Sequence, residues 1–235
     1  MSRWICLSHQ CSCKEKTVGE ARVKINLKDS QQLWITSDTH AFHKNICRGT
    51  SEWGLGNGQR DFDTVEEMNE ALIRNINAKV KENDILIHLG DWSFAGERNV
   101  QVFRDEILCK EIILVLGNHD RHIKLNKTGL QRLFSVVTPY LELSVNKNHF
   151  ILFHFPIAVW DQVGNGAYML NGHTHKRPEN KFGPGRTMDV GIDGSESFSP
   201  YNIDEIILFL KDRPISTYMT DDYHHINRKE ETSAS

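Results

Sequence analysis

The chain has 235 residues, 39% hydrophobic and 25% charged, with Lys+Arg 28 against Asp+Glu 31 and a net charge of −3. This is the profile of a folded protein with one sizeable core, and it excludes a disordered chain and a basic nucleic-acid coat. The apolar runs Ile112 to Leu116 and Phe150 to Phe153 are strand-sized, far short of the ~20 residues needed to cross a bilayer.

Residues 1–30 show no clear period and read as a leader ahead of a domain over 31–215, with a polar tail over 216–235. Cys6, His9, Cys11 and Cys13 lack the second, well-spaced ligand pair that a structural zinc site requires. Five cysteines without a signal-peptide core are expected as reduced thiols in the cytoplasm, with no membrane partner. Leu33 to Thr36 reads as a buried strand. Asp63-Thr64-Val65-Glu66 has the form of a capping box. Val65, Met68, Leu72, Ile76 and Val80 then mark the buried face of a helix running to about Lys81. A strand is expected over Ile85–Leu89, a helix from about Asn99 to Leu108, and a third strand over Ile112–Leu116. This β-α-β-α-β order implies parallel strands with helices outside. Later, Tyr140–Val145 and Phe150–Phe155 flank Asn146-Lys147-Asn148 as a hairpin. Strands at Ala167–Leu170 and Thr187–Ile192 and a helix over Ile203–Leu210 complete the core. The expected fold is α/β (α+β): two sheets face to face with helices outside.

The chemistry is concentrated just past the strands. Ser37-Asp38-Thr39-His40 follows the first, Gly90-Asp91 the second and Gly117-Asn118-His119-Asp120 the third. His154 ends a fourth, and Asn171-Gly172-His173-Thr174-His175 follows a fifth. The carboxyl edge of parallel strands is where such proteins bind ligands. Asp38, His40, Asp91, Asn118, His154, His173 and His175 make seven N and O ligands, too many for one ion with open positions and suited to two ions sharing a carboxylate. Asp38-x-His40 and His173-x-His175 place both side chains of an extended segment on one side. Any one of these motifs alone would be structural; five in order are not accidental.

The ordered set Asp38-Thr39-His40, Gly90-Asp91, Gly117-Asn118-His119-Asp120, His154 and Gly172-His173-Thr174-His175 resembles the calcineurin-like metallophosphoesterase superfamily. The likeness to a branch of small bacterial and phage phosphoesterases is carried by His43-Lys44-Asn45-Ile46, His88-Leu89-Gly90-Asp91-Trp92, His154-Phe155-Pro156 with Trp160, and Val190-Gly191-Ile192-Asp193. It spans about residues 32–212. The resemblance implies a four-layer αββα sandwich of two mixed β-sheets flanked by helices. It implies Asp38, His40 and His175 on one metal, Asn118, His154 and His173 on a second, and Asp91 bridging them. It also implies His119 as electrostatic stabiliser and general acid. The phosphoprotein-phosphatase branch carries a second Asp in its GDxxDRG motif to orient that histidine; here Phe94 stands in its place.

The expected activity is dinuclear-metal-dependent hydrolysis of phosphodiesters or phosphomonoesters by metal-activated water or hydroxide. The ligand set favours divalent transition metals, Mn first, with Fe, Zn, Ni or Co also compatible. The partner is a phosphate ester, with a nucleotide or a nucleic-acid strand as the nuclease alternative. A catalytically dead protein-binding scaffold should show broken ligands, and none of the seven is replaced. His43 and Asn45, three and five residues after His40, reach the mouth of the site as candidate substrate contacts; capping a local turn is an equal reading for Asn45. His88 is expected in a core or supporting role, Trp92 under a loop, and Gly54–Gly58 as a surface loop.

Overall fold

Contiguous apolar strands need cover on both faces. The computed structural model, which describes residues 4–6, 21–53 and 59–215, provides it with two packed sheets. One has five strands in the order β11 (Tyr201–Asn202), β3 (Leu33–Thr36), β4 (Ile85–His88), β5 (Glu111–Val115) and β6 (Val136–Thr138). Strands β3 to β6 are parallel, and β11 runs antiparallel to β3. The other has six, ordered β1 (Trp4–Cys6), β2 (Ala21–Lys24), β7 (Tyr140–Val145), β8 (Asn148–Phe153), β9 (Tyr168–Asn171) and β10 (Thr187–Asp189). Only β7 and β8 pair antiparallel there. Their link is the two-residue turn Asn146-Lys147, with φ 49° and 63°. Two positive-φ residues match the right-handed twist of the flanking strands.

Alternation within the runs decides the layers. Ile35, Ile87, Ile113 and Val115 face Val23, Leu143, Phe150 and Leu170 of the other sheet in one buried cluster. Leu86, Ile112 and Leu114 point the opposite way, under α1 (Val65–Lys79), α2 (Glu97–Glu106) and α3 (Arg121–Leu125). Helix α4 (Ile203–Leu210) adds Ile203, Ile206 and Leu210 to the inter-sheet core. The expected sandwich is therefore present, with one outer layer thin. Ile151 and Met169, on the far face of the six-stranded sheet, are covered by Trp160, Val163 and Ala167, a segment whose only helical piece is the 3-10 turn Val163–Asn165.

Several boundaries differ from the sequence reading; among the strands, β10 ends at Asp189 rather than Ile192, and β8 runs over Asn148–Phe153 rather than Phe150–Phe155. The capping box of α1 is one residue later than expected. Thr64 accepts from the Glu67 amide, and the Glu67 side chain returns to the Thr64 amide, because the hydroxyl rather than the Asp63 carboxylate has the extended backbone of an N-cap. Helix α2 starts at Glu97, ahead of Asn99. The core also begins before residue 31: Ala21 and Val23 are buried, and β2 pairs with β7 inside the six-stranded sheet. The remaining leader residues, Gly54–Gly58 and the expected tail lie outside the described residues.

Candidate metal centre

Strands β3, β4 and β5 are in register, Thr36 opposite His88 and His88 opposite Leu114, so the segments after them leave the sheet side by side. The Asp38 amide donates to Gly90 O at 2.9 Å and the His40 amide to Asp91 O at 3.0 Å, which locks the first two loops together. Gly90 is at φ 98°, and a Cβ there would meet Gly117 N at 2.4 Å. A Cβ on Gly172 would meet Ser37 Oγ at 2.0 Å and Asp38 Oδ2 at 2.3 Å. Both approaches require glycine.

The backbone itself is strained here. Asp38, His40, Asp91, His173 and His175 all have positive φ, between 46° and 69°. Each such residue costs about 1–3 kcal/mol, and their clustering marks a functional site.

All seven expected ligand side chains come together in short mutual contacts. Asp91 Oδ2 lies 3.4 Å from both His40 Nε2 and His154 Nε2. Asn118 Oδ1 lies 2.9 Å from His154 Nε2 and 3.0 Å from His173 Nδ1. Asp38 Oδ1 is 3.8 Å from His40 Nε2 and from His175 Nε2. Atoms sharing an ion at about 2.1 Å sit roughly 3.0–3.4 Å apart; the Asp91 and Asn118 contacts are close to that spacing, and the 3.8 Å contacts of Asp38 are wider. Two triads, Asp38/His40/His175 and Asp38/Asp91/His154, each bring their ligand atoms within 4.8 Å of one another.

Hydrogen-bond satisfaction makes the same case. Asp38 Oδ1 and both ring nitrogens of His40 are buried without a partner, which is costly unless a cation completes them. His154 Nδ1 faces Leu89 O at 2.8 Å, so it carries a proton, and Nε2 lies 2.9 Å from Asn118 Oδ1 and 3.4 Å from Asp91 Oδ2. Burial opposes a charge on this ring, but the bond and charge of Asp91 raise its pKa overall, and a bound cation would take the place of the proton on Nε2. Burial pushes the Asp38 carboxyl up to about 6 and holds His40 well below the ordinary histidine range, so the imidazole is neutral and available as a ligand. Burial also opposes ionisation of Asp91, but the bond and charge of His154, with His40, keep its carboxyl below the usual range.

Two supports are not evident from the motifs. Arg60, fully buried, forks onto Asp193 at 2.8 and 2.9 Å and donates to Thr39 O and Asp38 O at 2.7 and 2.6 Å. Asp193 then accepts from His175 Nδ1 at 2.8 Å, turning Nε2 towards Asp38. Such carboxylate–histidine pairs fix the tautomer of a ligating ring. Asp120 accepts from the amides of Asp91 and Gly117 at 2.8 Å and of Trp92 at 3.0 Å, joining the second and third loops.

The other expected residues separate. His119 is exposed, its ring 5.4 Å from that of His40 and 5.2 Å from that of Phe94, while its amide donates to Asp91 Oδ1 at 2.8 Å. His43 is buried with Nδ1 unpartnered, stacks on Phe94 at 3.9 Å and is lowered by burial to about 4. Asn45 instead turns to the following loop, its Oδ1 accepting from the Glu52 amide at 3.2 Å. His88 is buried against Thr39 Oγ1, and Trp92 is buried between Phe103 and Phe134. Cys47 and Cys109 are buried free thiols.

Residues 32–217 match the family model described as calcineurin-like phosphoesterase. A curated relative, the uncharacterized protein MJ1445 of Methanocaldococcus jannaschii, is 27% identical over 187 residues, covering 77% of this chain and 92% of that protein. Among solved structures, the protein of unknown function AQ665 from Aquifex aeolicus is similar with a TM-score of 0.55 and 18% identity, over 77% of this chain and all of that one. A novel archaeal phosphodiesterase aligns with a TM-score of 0.41 and 20% identity, over 71% of this chain and 88% of that one.

Proposed function

The chain belongs to the calcineurin-like phosphoesterase family and is a metal-dependent phosphoric ester hydrolase, and on that premise we propose that it holds two divalent ions and cleaves phosphodiester or phosphomonoester bonds of small organic phosphates. Asp38, His40 and His175 form one set of ligands, Asn118, His154 and His173 the other, and Asp91 serves both. Support for two ions comes from the buried, unpartnered acceptors of Asp38 and His40 together with the Asn118 contacts to His154 and His173. Bound there, the ions would neutralise phosphate charge and acidify an attacking water. Mn suits the mixed His/Asp/Asn set, with Fe, Zn, Ni or Co as substitutes.

The protein's own groups do the rest. Hydrolysis adds the water oxygen to phosphorus and releases the ester oxygen with its bonding pair. His119, exposed beside Asn118 and held by its amide on Asp91, is placed in this reading to protonate that oxygen. His43, kept neutral by burial, stands in this reading as a contact to a phosphate oxygen. Asn45 retains its amide nitrogen for such a contact. Among the described residues no helix is long and apolar enough to cross a membrane. A cytoplasmic location, suggested by the free thiols, belongs to the same proposal.

The test is elemental analysis of the Mn-loaded protein beside turnover of bis-p-nitrophenyl phosphate, cyclic nucleotides, phosphopeptides and short RNA and DNA. Two ions per chain and hydrolysis of small esters are expected, both lost in Asp91→Asn. A single ion, or an Asp91→Asn variant with full activity and two tightly held metals, would overturn the dinuclear reading. Preference for strands over small esters would make the chain a nuclease.

A further inference from the structure

A cavity of about 310 Å³ opens beside His119, between the segment entering α2 and the one entering α3. Phe94 and Ala95 line it with apolar groups, with Val100 and Ile123 buried behind them, Asn118 and His119 line its end nearest the ligand cluster, and Asp120, Arg121 and His122 are also among its lining residues. Phe94 is a partition: its ring stacks on His43 at 3.9 Å and lies 5.2 Å from His119. The segment is shaped for this, with Ala95 at φ 62° and Gly96 at φ 109°. Ser93, nine-tenths buried with an unpartnered hydroxyl, is also among the residues around the cavity.

We propose that this cavity receives the organic group on the leaving oxygen, and that the preferred substrates are esters of a compact aromatic or similarly apolar alcohol. The inference rests on the phosphoesterase reading above. Its reasoning is positional. His119 borders both the ligand cluster and the cavity, so a leaving oxygen within its reach directs the attached carbon group towards Phe94 and Ala95. The volume lies at the lower end of small-molecule pockets, about 300–1,000 Å³. It admits one ring system and excludes a folded protein surface. The apolar surface of Phe94 and Ala95 favours a ring, since burial of apolar area is the driving force.

Calorimetry on the Mn-loaded protein with benzylphosphonate and methylphosphonate tests this without turnover. Wild type should bind benzylphosphonate at least about tenfold more tightly, the scale of burying most of a phenyl ring. Ala95→Trp fills the cavity from a residue outside the ligand set. It should reduce the preference below about threefold while leaving methylphosphonate affinity and metal content unchanged. Should that variant lose its far-UV signature, Ala95→Leu makes the same change on a smaller scale. Equal affinities in wild type, or a preference that survives in a folded, metal-replete Ala95 variant, would overturn the pocket assignment alone. If neither phosphonate binds a protein carrying two ions, the phosphoesterase reading fails, and the pocket with it.

Discussion

Replacing Arg60 by methionine keeps the length of the side chain and removes every donor it supplies. In the folded protein this leaves the Asp193 carboxylate buried beside His175 without its counter-charge, and strips the carbonyls of Asp38 and Thr39 of their partner. Breaking a buried pair by removing one member costs about 3–5 kcal/mol. Each orphaned carbonyl adds up to about 1–3 kcal/mol where water does not replace the donor. We therefore expect Arg60→Met to destabilise the metal-free protein by at least about 4 kcal/mol in urea unfolding. Using roughly 2–4 °C per kcal/mol for a domain of this size, Tm should fall by roughly 8–16 °C. Because His175 loses a fixed partner, Mn affinity of the folded fraction should fall by about 10–100-fold. The double variant Arg60→Met/Asp193→Leu removes both charges and should recover part of the stability, giving a coupling of about 2–3 kcal/mol in the cycle. It should not recover metal affinity, since His175 remains unsupported. A loss below about 1 kcal/mol in Arg60→Met, or single effects that add within about 0.5 kcal/mol, would refute the reasoning.

His119→Ala should keep two ions per chain while kcat falls about 10²–10⁴-fold, the usual scale of general acid catalysis; substrates with p-nitrophenolate as leaving group should lose less than alkyl esters, and equal losses would mean a purely electrostatic role. His43→Ala should fold and load metal normally, with kcat/KM down about tenfold for every substrate it hydrolyses; unchanged kinetics would return His43 to a packing role against Phe94. Gly172→Ala forces a Cβ against Ser37 Oγ and Asp38 Oδ2. It should cost about 1–3 kcal/mol as an overpacking change and weaken metal binding, read by unfolding and elemental analysis.

The sequence made the site more legible than the frame around it. The proposed ligand side chains come directly after β3, β4, β5, β8 and β9, and those strands are apolar on both faces, so run and motif announce each other. Strand β3 and helix α4 match their expected positions, and the hairpin expected around Asn146-Lys147-Asn148 is present with Asn148 already in β8, for the same reason: strong local pattern and strong turn chemistry. Strand β2 was not expected, because four residues with only Ala21 and Val23 buried offer too short an alternation to stand out. Five-residue α3 and three-residue β6 fall below the same threshold. Arg60 was missed for a different reason. An arginine in a polar stretch reads as surface, and the carboxylate that permits its burial lies 133 residues away. Asp120 was visible inside its motif, but its work is done on backbone amides, which leave no trace in residue type. Asn45 shows the converse: a well-spaced polar residue whose oxygen the next loop takes.

The seven proposed ligand side chains are divided between the two sheets. Asp38, His40, Asp91 and Asn118 follow strands of the five-stranded sheet, and His154, His173 and His175 follow strands of the six-stranded one. Ions held by both groups would act as rivets along one seam of the sandwich, and at a hundredfold excess over Kd each would add about 2.7 kcal/mol to its stability. Asp193, which orients His175, comes late in the chain. A nascent polypeptide still missing that segment has most of its strands but only part of its grip on metal. On this reading, full loading would wait for the Asp193 loop, and the same stretch of chain brings β11 and α4 to complete the core.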